Sequence, residues 1–483
     1  MADPVGGHVV LPSVQSESFF SLRQRPISRE ERYAMGRGLR EQVPRRELGV
    51  WSPEPDRADP VELIIESHQG RVPELIPIRV ARMLSSPYGF LRGTAIVMAA
   101  DVAGLPSTGI MPVICGDAHL GNFGFYASPE GELVIDLNDF DEAHPGCWEW
   151  DLRRLVASIW VAGRENGARE DQCGDAVASC VAAYRHEVRF LADEPLLKRA
   201  YNHLDVERLQ GAATEKSLQK EIERAARRAR RRTSDRALPR FTREHAGQRQ
   251  IVEEPPLITR LPAEEYDAVA QGLDDYLSTI PPQWRRTLGG YTLIDIAHKV
   301  VGVGSVGLRA YIALLEGSSP SDVVFLQLKQ ARRSVLAPYV HGDSAWHDHQ
   351  GQRVAEYQQA LQTVSDPLLG WTTVGSRQYY VRQFRNMKGT IGLDSIDVAA
   401  LTDYAGIVGH LLAKGHARTS GASMIAGYVG SSDKLDQAMC RFAAGYADQT
   451  EADHGRLVEA VRHGELPVDQ DALDIAGSTF RPR

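Results

Sequence analysis

The sequence predicts an α+β protein of two lobes, one mostly helical and a smaller one built on antiparallel sheet. Three observations predict it. Helical apolar spacing dominates from Pro60 to about Arg232. Strand-length apolar runs cluster between Tyr291 and Phe384, and two long helical patterns, 397–417 and 436–462, follow them. The chain has 483 residues, 43% hydrophobic and 24% charged, which allows a large core and excludes a fibrous or disordered protein.

In order, residues 1–60 read as an N-terminal arm, rich in Arg, Pro and polar types, with short helices. Residues 61–290 form the helical lobe, with pauses at Pro73, Pro77 and Pro87. Within it, Phe123-Gly-Phe-Tyr126 and Leu133-Val-Ile135 flank the turn Ser128-Pro-Glu-Gly131 and predict a β-hairpin, and Asp151 to Ala162 predicts a helix. Residues 291–390 form the sheet-rich lobe, with strands at 299–301, 309–315, 323–328 and 378–384 and a helix over 352–363. Residues 391–483 are C-terminal helices expected to pack on the helical lobe.

Net charge is −8, so the molecule as a whole repels nucleic acid and anionic membranes. The arginine run 227–232, at helical spacing in an acidic chain, reads as a solvated helix face. No N-terminal stretch has the basic start and apolar core of a secretory signal, and the five cysteines show no metal-ligand spacing. A reduced, cytoplasmic location is expected, with no membrane partner.

The chemistry-bearing residues concentrate between Gly116 and Asp151: Asp117-Ala-His119-Leu-Gly-Asn122, then Asp136-Leu-Asn-Asp139-Phe-Asp141-Glu-Ala, then Asp151-Leu. Phosphoryl transfer from a nucleotide needs a carboxylate to orient or deprotonate the acceptor hydroxyl, and oxygen ligands for magnesium. An Asp and an Asn five positions apart on one loop, with further Asp residues after a hairpin, supply that set; Asp and Asn also populate turns for purely conformational reasons.

A second segment, Gly302-Val-Gly304-Ser305-Val-Gly307, matches GxGxxG. The apolar run after it is followed by a turn and another apolar run, which predicts strand–loop–strand instead of a Rossmann turn. Val323 to Lys329 then places a lysine at the end of a buried-looking strand, where it requires an anionic partner; an exposed edge-strand lysine is the alternative.

These segments resemble the protein kinases and aminoglycoside phosphotransferases. Asp117 to Asn122 has the spacing of their catalytic loop, and His119 gives it the Asp-x-His form typical of the phosphotransferases. The Asp139-Phe-Asp segment resembles their metal-binding segment, and Gly302 to Lys329 their glycine loop and lysine strand. The resemblance implies Asp117 as base, His119 beside it, and Asn122 and Asp139 as metal ligands with Asp136 the rival. It also implies ATP held by Gly302, Gly304, Ser305, Gly307, Lys329 and Glu356, with Glu356 on the following helix orienting Lys329, and Mg2+ as the metal. Cys115 stands where that pattern has His or Tyr, so the loop must be supported differently. The glycine loop and lysine follow the catalytic Asp instead of preceding it, which implies a circularly permuted kinase-like fold.

Almost the whole chain resembles a bacterial conserved-domain family of unknown function related distantly to the kinase-like superfamily. The resemblance runs from Pro73–Arg79 and Ser86–Gly93 to Arg382–Lys388 and Ala417-Arg418. Arg92 either meets a phosphate or braces a loop carboxylate. His341, His347 and His349 lack a Cys or Glu framework and read as a flexible loop. The expected function is ATP- and magnesium-dependent transfer to a hydroxyl of a small molecule. The alternatives are a peptide acceptor, or a catalytically inactive nucleotide-binding scaffold.

Overall fold

The computed structural model describes residues 27–201, 203–245, 248–300, 306–340, 347–393, 396–419 and 421–469. It is an α+β fold whose largest sheet is six-stranded and antiparallel.

Part of the arm is fastened to the body. Helix α1 (Arg29–Gln42) is closed by a Ser28–Glu31 capping box. It packs against α17 (Ala422–Val429) so closely that a Cβ on Gly36 would lie on the Met424 carbonyl, and one on Gly427 on that of Tyr33. The side chains of Arg40 and Arg45 then cap the carbonyls of Gly427, Tyr428 and Val429 at the end of α17.

Four helices follow: α2 (Pro60–Ser67), α3 (Ile76–Leu84), α4 (Pro87–Gly93) and α5 (Ala95–Ala103). Asp59 and Ser86 cap α2 and α4, with prolines at their first positions. Two-residue strands β1 (Val113–Ile114) and β4 (His144–Pro145) pair at the base of the acidic segment. Between them lies the predicted hairpin, β2 (Phe123–Ala127) and β3 (Leu133–Leu137). Helices α6 (Trp148–Glu165) and α7 (Glu170–Asp193) run behind it, and α6 is buried nearly all round, which makes it a core helix. With α16 (Val398–Arg418) and α18 (Lys434–Arg462), they build the main hydrophobic core. The C-terminal helices α16 and α18 therefore pack against α6 and α7.

Short helices α8 (Leu196–Tyr201), α9 (Val206–Ala212) and α10 (Lys216–Ala229) complete that side. On α10, Arg227 pairs with Glu223 one turn back, both exposed, as a solvated face should. From Ser234 the chain joins the sheet instead of the helical core. Helix α11 (Ser234–Phe241) and strands β5 (Thr242–His245), β6 (Gln248–Ile251) and β7 (Ile258–Thr259) lie on or beside it. So do α12 (Ala263–Tyr276) and α13 (Pro282–Leu288), whose Val269, Leu273, Tyr276 and Leu288 share a core with the sheet. The sheet-rich part thus begins nearly sixty residues before Tyr291. Amphipathic helices covering a sheet read as helical whichever core they serve.

The sheet is completed by β8 (Thr292–Lys299), β9 (Ala310–Glu316), β10 (Val323–Gln330), β11 (Gly370–Val374) and β12 (Arg377–Gln383), in the order β11-β12-β10-β9-β8-β7. Strand β8 ends at Lys299, so the expected strand at 299–301 lies mostly earlier. The antiparallel pairing of β8 with β9 across the glycine segment is the predicted strand–loop–strand. Helices α14 (Ala337–Val340) and α15 (Gln350–Leu361) link β10 to β11. Among the described residues, no helix is long and apolar enough to cross a membrane.

Candidate functional site

Asp117, Asp139 and Asp141 line one cleft of about 330 Å³ between the acidic loops, α2–α5 and the end of β10. The loop before Asp117 is held from below. Asp151, on the first turn of α6, accepts the backbone N–H groups of Cys115 (2.7 Å) and Gly116 (2.8 Å). His416 of α16 meets the same carboxylate at 3.2 Å, and its other ring nitrogen lies 2.8 Å from the Tyr184 hydroxyl on α7. The support that Cys115 does not offer comes from this chain. Gly116 has φ +77°, and a Cβ there would strike the Glu142 carbonyl, so the turn into Asp117 requires glycine.

Asp117 accepts a hydrogen bond from Arg154 Nε of α6 at 2.8 Å, forms an ion pair with the same guanidinium, and keeps 23% of its side chain exposed to the cleft. Burial pushes its carboxyl up despite the pull of Arg154 and Arg92. His119 stands 4.0 Å from Asp117 and accepts from the Gly121 N–H through Nδ1. Burial, with Arg92 and Arg154 nearby, lowers it far enough to keep it neutral.

Asn122 clasps two loops. Its amide nitrogen donates to the carbonyls of Asp117 and Asp139, both at 3.0 Å, and its oxygen accepts the Asp139 N–H at 2.8 Å. As arranged, it positions the loops that carry the carboxylates, and metal ligation would require it to release the Asp139 N–H.

Lys329 resolves the strand-lysine alternatives. It sits on β10, paired on both sides opposite Ala310 and Tyr380, and is 3% exposed, so it is not at an edge. Its Nζ lies 3.3 Å from Asp139 Oδ1 and 2.5 Å from Asp141 Oδ2, over the Tyr380 ring. The Tyr380 hydroxyl donates to Asp141 at 3.0 Å. Burial works against ionisation of Asp141, but Lys329 and Arg382 outweigh it and hold that carboxyl below its usual range. On Asp139, burial and the Asp141 charge prevail over Lys329 and push its carboxyl up. Asp139 nevertheless keeps 49% of its side chain exposed within the cleft, where an incoming cation can reach it.

Three expectations need correction. Glu356 does not meet Lys329: it binds His347 at 2.7 Å and Gln352 at 2.8 Å. Helix α15 supports the site through Arg353 instead, fully buried and donating to the carbonyls of Asp141, Ala143 and Arg332. Asp136 is turned away from the cleft, accepting from the N–H groups of Leu137 and Thr363 and facing the basic end of α16 at Lys414 and Arg418. An aspartate on a strand of a paired hairpin points to a fixed face, and β3 sends this one to the wrong side. His347 and His349 are ordered parts of α15's start: His349 caps the helix by accepting the Gln352 N–H. His341 lies outside the described residues.

Of the glycine segment, Gly302, Gly304 and Ser305 lie outside the described residues. Gly307 has φ +88° and its carbonyl accepts the Val72 N–H at 2.7 Å, which ties the loop's end to the segment after α2. Asp141, Arg154 and Arg353 were not singled out by sequence reasoning. For Asp141 a signal existed: it stands two residues past Asp139 around the buried Phe140, so both acids share a face. Arg154 stands three residues after Asp151, on the same helix face.

Among the described residues, no three His, Cys, Asp or Glu side chains converge as a ready metal cage. Magnesium is commonly held by one or two carboxylates plus substrate phosphates, and Asp139 with Asp141 meets that requirement.

Fold and site together define an α+β protein with an acid-lined cleft closed by a buried strand lysine. Residues 71–460 match the family of uncharacterized proteins conserved in bacteria, DUF2252, and the chain belongs to it. No curated protein and no solved structure matches the chain.

Proposed function

We propose that this protein is an ATP- and magnesium-dependent transferase of the kinase-like kind, in permuted order, that phosphorylates a hydroxyl of a small molecule. The observation that supports it is the meeting of Lys329 with Asp139 and Asp141 in the cleft that Asp117 also lines, across a separation of 190 residues in the chain. In this reading Asp117, with its raised carboxyl, accepts the acceptor's proton or orients its hydroxyl. Asp139 and Asp141 would hold magnesium, which neutralises phosphate charge. Lys329 would contact the nucleotide phosphates, with the glycine segment covering them. Asn122 and Asp151 position the loops. A cytoplasmic setting belongs to the same proposal.

A second reading, a nucleotide-binding scaffold without turnover, draws on one observation: the Asn122 amide is fully engaged by loop backbone. Thermal unfolding with and without ATP–magnesium, on wild type and Asp139→Ala, tests the binding that both readings share. Saturation to about 100 times Kd should stabilise the wild type by about 2.7 kcal/mol, only with magnesium, and the variant should lose the shift. No shift in wild type at millimolar nucleotide would remove both. Hydrolysis of bound ATP, or its absence, separates the transferase from the scaffold.

A further inference from the structure

The cleft that holds the acids also has basic side chains in its lining. Arg79 from α3, Arg71 from the segment after α2, and Arg332 just past β10 all line it. Arg79 is 2% exposed, and its only hydrogen bond among the described residues runs from Nη2 to the Gly93 carbonyl, at 2.8 Å. Its Nε and Nη1 are buried and have no hydrogen-bond partner among the described residues. Arg71 donates to the carbonyls of Ser67 and Val306, and Arg332 to that of Ser67. No carboxylate of the described residues forms an ion pair with any of the three.

Three guanidinium groups gathered without an ion-paired carboxylate are unfavourable in themselves, and the charges of Glu142 and Asp141, which reach Arg71, do not offset its burial. Burial, then Arg71 and Arg332, lower the affinity of Arg79 for its proton, and burial with Arg332 takes Arg71 down to about 10. His68, beneath them, is pushed to about 4 by burial and by Arg79 and Arg71. An unpaired buried cation destabilises a fold unless a ligand compensates it. A carboxylate offers one charge and two oxygens, whereas a phosphate offers more of both and matches the guanidinium fork.

We propose that Arg71, Arg79 and Arg332 form a phosphate-binding subsite, distinct from the acid pair that would hold magnesium. The phosphate is carried by a substrate: either a phosphorylated acceptor or the polyphosphate of the nucleotide itself. That assignment to a substrate rests on the transferase reading; phosphate binding as such does not.

The test uses the full chain, with inorganic phosphate as probe, no magnesium, and sodium chloride at matched ionic strength as the control. Phosphate raises the Tm of wild type and of Asp139→Ala. Arg79→Met and Arg332→Gln bind phosphate about tenfold or more weakly, as loss of a charge-assisted pair requires. Should Arg79→Met fail to fold by circular dichroism, Arg332→Gln carries the test alone. No phosphate-specific shift in wild type, or equal shifts in the folded variants, overturns the subsite. Titration of phosphate into protein saturated with ATP–magnesium then assigns the source. A surviving shift identifies a phosphorylated acceptor, and a lost one identifies the nucleotide's own phosphates. Because Asp139→Ala is expected to lose the ATP–magnesium shift but keep the phosphate shift, failure of the transferase reading and failure of the subsite are read separately.

Discussion

Lys329 Nζ stands 2.5 Å from Asp141 Oδ2 and 3.3 Å from Asp139 Oδ1, so one buried ammonium compensates two neighbouring carboxylates. Neither acid is an innocent neighbour of the other: the charge of Asp141 raises Asp139, while Lys329 holds Asp141 down. Any change to the lysine therefore alters the titration of the pair as a unit.

Lys329→Met leaves two carboxylates facing each other and should cost about 3–5 kcal/mol at pH 7. The sign with pH distinguishes wild type from variant. A carboxyl held below its unfolded value contributes stability above that value, near 4, and loses it as pH falls through the folded value. Wild type should thus lose the Asp141 contribution only in acid below about pH 4. In Lys329→Met burial acts on Asp141 unopposed by the lysine, so stability should instead improve as pH is lowered from 7 toward 5. Chemical denaturation across pH checks this, and Lys329→Met/Asp141→Asn should recover most of the loss. As a control, Glu356→Gln should leave the ATP–magnesium shift intact, because Glu356 serves His347 and Gln352.

Asp151→Asn keeps one of the two oxygens that accept the Cys115 and Gly116 N–H groups and turns a donor NH2 toward the other. Hydrogen bonds to charged groups contribute about 1.5–3 kcal/mol each, so a loss of roughly 2–4 kcal/mol is expected. The discriminating readout is hydrogen exchange. Amides of Cys115 and Gly116 should lose protection in Asp151→Asn, while those of the distant β9–β10 ladder exchange as in a globally destabilised wild type. Uniform loss everywhere would mean that Asp151 stabilises the fold without positioning this loop.

If the proposed transferase reading holds, with Asp117 as its base, Arg154→Met should move the acid limb of the pH–rate profile, with ATP hydrolysis as the measured reaction. Asp117 is raised by burial and restrained by Arg154, and a base acts only when ionised. Removing the guanidinium therefore shifts the limb to higher pH, by about a unit or more for loss of one close charge. Arg154→Lys, which keeps the charge but not the fork, should shift it less. An unmoved limb would place the titrating group elsewhere than Asp117.

The sequence by itself determined the local elements and some of the participants. Turn chemistry and alternating apolar residues located the 123–137 hairpin, apolar spacing located α6, α16 and α18, and the spacing of Asp117, Asn122 and Asp139 located the acidic loops. These signals are carried by neighbouring residues, and local sterics and burial suffice to express them. Only the tertiary structure decided which side chains meet. It gave Lys329 to Asp141 and Asp139 instead of Glu356, turned Asp136 toward Thr363, and gathered Arg71, Arg79 and Arg332 from three separate elements. Such pairings depend on strand register, helix rotation and loop closure over hundreds of residues. A one-residue slip in β3 would have sent Asp136 to the opposite face, and no residue within that strand records which face the cleft will occupy.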